Sequence, residues 1–134
     1  MQNAAIAMDN FRGLPEHRKI FRAAVDRLAN DERVEGLFLS GSFAKGHPDA
    51  YSDLDIYILV PAGAREQIIR DHQKLIREVG KTSVVFPAIH LGDPNQIIVF
   101  YEEKMPIHVD YQYRIARELR PKANDKNVAI VLNP

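Results

Sequence analysis

A chain of 134 residues with 46% apolar side chains can build one domain around one core and is too short for two. Its 18 basic and 18 acidic residues cancel, so no net field draws it to nucleic acid or to an anionic membrane. The absence of cysteine excludes disulfides, thiolate metal sites and a cysteine nucleophile, and no apolar run reaches the length of a membrane span.

The opening, MQNAAIAMDNFRG, lacks the charged start and apolar centre of a signal peptide, which makes the cytoplasm the expected location. Residues 1–14 have mixed character and are expected to form an N-terminal arm ahead of a domain over 15–134. From Pro15 the pattern changes. Proline suits a first helical turn, and Ile20, Phe21, Ala24, Val25 and Leu28 recur at three- and four-residue spacing, which predicts an amphipathic helix to about Ala29. Arg18, Lys19, Arg22 and Arg27 are its solvated face.

A strand over 34–39 comes next, then a Gly41-Ser42 turn and a short helix carrying Lys45. The stretch GHPDAYS, with His47, has the composition of a loop. In the strand that follows, Asp53, Asp55 and Tyr57 point to one face while Leu54, Ile56 and Ile58 point to the other. Pro61 ends it. A second amphipathic helix is expected over 63–79, buried through Ile68, Ile69, Leu75, Ile76 and Val79, with Gly80 in the position a helix C-terminus prefers. KTSVVFPAIH reads as a short strand broken by Pro87, which marks a sheet edge. After the turn at Gly92, Asp93 and Pro94, residues 96–102 and 107–113 form a predicted hairpin. Its second strand places Ile107, Val109, Tyr111 and Tyr113 on one face and His108, Asp110 and Gln112 on the other. A helical turn within 114–120, the loop KANDKN and a last strand in NVAIVLNP complete the order. A chain ending in an apolar strand and a turn proline is expected to be the front part of a longer polypeptide.

The chemistry concentrates in LFLSGSFAKGHPDAYSDLDIYILV. Aspartate is depleted in strands, and two carboxylates on one face, roughly 6.5–7 Å apart along an extended chain, repel each other. A divalent cation reverses that argument, because hard cations such as Mg²⁺ take carboxylate oxygens and keep open positions for phosphate. Gly41 permits close backbone approach, and Ser42 puts a hydroxyl and an amide at a helix start, where N–H groups favour anions. Phosphate beside metal is the implied pairing.

Gly-Ser followed at this spacing by Asp-x-Asp in an apolar strand resembles the signature of the nucleotidyltransferase superfamily that includes DNA polymerase beta. SGSFAKG and SDLDIYIL most resemble the branch of aminoglycoside nucleotidyltransferases and minimal nucleotidyltransferases. The family's third carboxylate, on a later strand between apolar residues, is matched by Asp110 in IHVDYQY. The likeness covers residues 34–113 and implies an α+β fold, a mixed β-sheet flanked by helices.

The implied reaction moves a nucleoside monophosphate from an NTP, ATP being the expected donor, to an acceptor hydroxyl with release of pyrophosphate. Two Mg²⁺ ions are implied, held by Asp53, Asp55 and Asp110, with Gly41, Ser42 and Lys45 binding the nucleotide phosphates. The acceptor is expected to be a small, aminoglycoside-like molecule, gripped in such relatives by a helical C-terminal domain. The alternatives are an antitoxin-like enzyme that modifies a protein partner and a non-catalytic nucleotide-binding interaction module.

Overall fold

In the computed structural model, residues 11–41, 48–118 and 129–132 are described. Helix α1, Pro15–Ala29, has the predicted bounds, with proline in its first turn and Ile20, Phe21, Ala24, Val25 and Leu28 all buried. The Asn30 N–H closes its end on the Arg27 and Leu28 carbonyls. Strand β1, Gly36–Ser40, starts two residues after the expected position. Val34 is buried, but its N–H closes a turn onto the Asp31 carbonyl instead of joining a ladder.

Strand β2, Leu54–Leu59, is followed by a short 3₁₀ turn, Ala62–Ala64, and helix α2, Arg65–Val79. Gly80 closes α2 as expected, in an extended conformation at φ −174° and ψ 175°. Packing explains the glycine. A Cβ there would lie 3.0 Å from Ile20 Cδ1 and 3.3 Å from Tyr101 Cδ1, so any side chain would require those two to shift by a few tenths of an ångström.

Strand β3, Thr82–Pro87, leads through a 3₁₀ turn, Ala88–Leu91, to strands β4, Gln96–Tyr101, and β5, Ile107–Arg114, which pair as the predicted antiparallel hairpin. A last strand, β6, covers Ala129–Leu132. The six strands form one mixed sheet in the order β3-β4-β5-β2-β1-β6. Only β2 and β5 pair in parallel; the other pairs are antiparallel. The expected edge position of β3 holds.

Alternation in the central strands divides the sheet's two faces. Leu54, Ile56 and Ile58 of β2 and Ile107, Val109, Tyr111 and Tyr113 of β5 join α1 and α2 in the main core. The three buried tyrosines are not orphaned there: the Tyr101 hydroxyl lies 2.7 Å from the Ile76 carbonyl and 2.7 Å from the Tyr111 hydroxyl, and Tyr113 meets His72. Phe38 and Tyr57 make a small apolar cluster on the opposite face, which is left largely to polar groups. Among the described residues no helix is long and apolar enough to cross a membrane.

Candidate metal and nucleotide site

The parallel contact at the middle of the sheet brings together carboxylates that lie far apart in the chain. Asp55 of β2 is the register partner of Asp110 on β5. Asp55 also faces Ser40 across β1, and Asp110 faces Ile98 across β4, so one rung of the sheet reads Ser40, Asp55, Asp110, Ile98. All four side chains leave the sheet on the face away from the main core. Asp53 lies one residue ahead of β2, where the chain is no longer held by the ladder, and its side chain is more exposed than those of Asp55 and Asp110.

Gly41 follows Ser40 directly. Its φ is +73°, and a Cβ built on it would come within 2.6 Å of Asp55 Oδ2. Both facts require glycine. The close approach expected of this residue is therefore made first to Asp55. Ser42 and Lys45, also expected at the site, lie outside the described residues, as does His47.

The environment separates the carboxylates electrostatically. Asp55 is pushed up to about 7, first by burial and then by its hydrogen bond and repulsion with Asp110. Burial also pushes Asp110 upward, but the hydrogen bond and positive charge of His108, with further hydrogen bonds from Asp55 and Gln96, leave it below the ordinary carboxylate value. Of the pair, Asp55 therefore holds a proton more readily than Asp110.

His108 is the site residue that the motif reasoning missed. Its Nε2 lies 2.7 Å from Asp110 Oδ1 and its Nδ1 3.2 Å from Asp53 Oδ1. The hydrogen bond to Asp110, followed by the charges of the surrounding aspartates, raises its proton affinity. Its ring stacks on Phe100, centroids 4.7 Å apart at 27°. The sequence carried a signal: in Ile-His-Val-Asp, strand alternation puts His108 and Asp110 on one face.

The raised proton affinities of Asp55 and His108 offset the crowding of carboxylates here, and the donor set suits a divalent ion that would take over that part. Asp53, His108 and Asp110 each offer one ligand atom, all within 4.8 Å of one another. A groove of about 560 Å³ lies elsewhere, along the start of α1, with a basic lining from Arg12, Arg18, Lys19 and Arg22. It touches none of the carboxylates. Side-chain chemistry, not concavity, singles out the site.

No curated protein matches the chain. The family model for the nucleotidyltransferase domain matches residues 18–126, a span that holds β1 and its Gly-Ser turn, both carboxylate-bearing strands and the hairpin between β4 and β5, and the chain belongs to that family.

Proposed function

We propose that the domain over residues 15–134 transfers a nucleoside monophosphate from an NTP, ATP being the expected donor, to a hydroxyl of a small aminoglycoside-like acceptor, releasing pyrophosphate. The observation that carries this reading is the convergence of Asp53, Asp55 and Asp110 on one face across the parallel β2–β5 contact. Asp53, Asp55 and Asp110 would hold two Mg²⁺ ions, which when bound neutralise phosphate charge and acidify an acceptor hydroxyl. Asp110, the register partner of Asp55, is proposed to take the acceptor proton once a bound ion has acidified that hydroxyl. Gly41 leaves the space in which Asp55 and a phosphate approach the backbone. Ser42 and Lys45 supply the remaining phosphate contacts. The neutral net charge supports a small acceptor over nucleic acid, and a cytoplasmic location would supply the nucleotide.

Calorimetry with ATP and GTP tests the reading. The native chain is expected to bind nucleotide only with Mg²⁺, and Asp53→Asn to abolish binding. Equal binding with a chelator present, or equal binding by the variant, would remove the metal–phosphate assignment. Transfer to an acceptor hydroxyl is then read as pyrophosphate release.

A further inference from the structure

We propose that His108 supplies a nitrogen ligand to the divalent cation of this site and shifts its preference from Mg²⁺ toward cations that accept imidazole, such as Mn²⁺ and Co²⁺. The inference deepens the metal-dependent reading above and rests on it.

Geometry comes first. The contacts of 3.2 Å from Nδ1 to Asp53 Oδ1 and 2.7 Å from Nε2 to Asp110 Oδ1 place the imidazole between two of the carboxylates expected to bind metal. An imidazole gives one nitrogen to an ion: with Nε2 as the donor, its 2.7 Å separation from Asp110 Oδ1 is near the edge of roughly 3 Å between neighbouring donors of an octahedron with bonds of about 2.1 Å. One donor atom from each of Asp53, His108 and Asp110 already falls within a 4.8 Å cluster.

The ring is also held in place. His108 projects from the β4–β5 ladder one pair from its hairpin end, opposite Phe100, and stacks on that side chain. A ligand fixed on a strand meets the narrow tolerance that a coordination site demands. Its side chain is 24% exposed, and an ion would take the place of the proton in one of its two carboxylate contacts.

The chemistry then sets the preference. Mg²⁺ favours oxygen donors and retains water, whereas affinity for mixed nitrogen and oxygen sites rises from Mn²⁺ to Co²⁺. Three aspartates alone would make an all-oxygen site; replacing one position by imidazole moves it along that series. The specificity resides in His108, because the carboxylates accept either kind of ion.

Pulsed electron paramagnetic resonance of the full chain loaded with Mn²⁺ reads the ligand directly. A nitrogen coupling that changes when histidine is labelled with ¹⁵N, and that vanishes in His108→Gln, is the expected result. Calorimetry is expected to show His108→Gln losing at least about tenfold in Co²⁺ affinity and less than about threefold in Mg²⁺ affinity. If Mn²⁺ binds, is lost in Asp110→Asn, and shows no nitrogen coupling in the native chain, His108 is not a ligand while the metal reading stands. If the native chain binds no divalent cation with or without ATP, both readings fall. Should His108→Gln misfold by circular dichroism, His108→Asn takes its place, because the label alone is shared by all five histidines.

Discussion

Asp55 and Asp110 stand side by side on two parallel strands, and burial beside Asp110 makes Asp55 the readier of the two to hold a proton. The arrangement sets the pH behaviour of the metal-free protein. Because Asp55 is raised from 3.8 to about 7, the folded state binds more protons than the unfolded state between those values. Its contribution is therefore complete below about pH 4 and is lost as pH rises through 7. Asp55→Asn should remove that loss, stabilising the chelator-treated protein by about 4 kcal/mol at pH 8 and by less than half as much at pH 5. Urea denaturation at the two pH values checks this; equal effects at both would contradict the assignment.

Ligand loading should act in the opposite direction from charge crowding. With Mg²⁺ and ATP at about one hundred times their dissociation constant, mass action stabilises the fold by about 2.7 kcal/mol. Thermal denaturation should show a rise in Tm of several degrees, absent in Asp110→Asn. A rise of equal size in the variant would show that the ligands bind elsewhere.

Gly41→Ala separates backbone strain from site geometry. The positive φ costs about 1 kcal/mol for any side chain. The added Cβ also forces Asp55 to swing away, since only its carboxylate end lies in the way. Mg²⁺-dependent nucleotide binding should therefore fall further than stability does. In an Asp55→Ala background the same substitution should retain only the strain, which a double-mutant cycle by denaturation measures.

On the opposite side of the sheet, His72 joins α2 to the core through two short contacts. Its Nε2 is 2.7 Å from Asp31 Oδ2 and its Nδ1 2.8 Å from the Tyr113 hydroxyl, with the ring almost fully buried. Hydrogen bonds from Arg33 hold Asp31 well below the usual carboxylate range, so it remains an anion. His72→Ala should cost about 2–4 kcal/mol by stranding the tyrosine hydroxyl and opening a cavity. Burial pushes His72 below its ordinary value near 6.5, so its contribution holds above that pH and is lost as pH falls through the folded value. The native chain should accordingly lose more stability than His72→Ala between pH 7.5 and 5. Parallel denaturation curves at both pH values would refute the assignment.

Residue alternation made much of this structure legible in advance. The faces of β2 and β5 follow from Leu54, Ile56 and Ile58 against Asp53 and Asp55, and from Ile107, Val109 and Tyr111 against His108 and Asp110. The same rule could have nominated His108, but a histidine two residues from an aspartate says nothing of Asp53 until β2 and β5 are placed in register. Gly80 ends its helix as its sequence position suggests, but the closeness of Ile20 and Tyr101, both distant in the chain, could not be read there. The His72 network was invisible for the same cause. Its members Asp31, His72 and Tyr113 come from a turn, a helix and a strand, and no local pattern links them.

The parallel pairing of β2 with β5 also imposes an order of events on a growing chain. Asp53 and Asp55 leave the ribosome early, but the partner of Asp55 is separated from it by α2, β3 and β4, all of which must emerge before β5 can dock. An unfinished chain holds half of a carboxylate pair. Whatever the completed rung binds, a nascent chain has no such rung with which to sequester it, and the ligand can stabilise only molecules whose central sheet has closed.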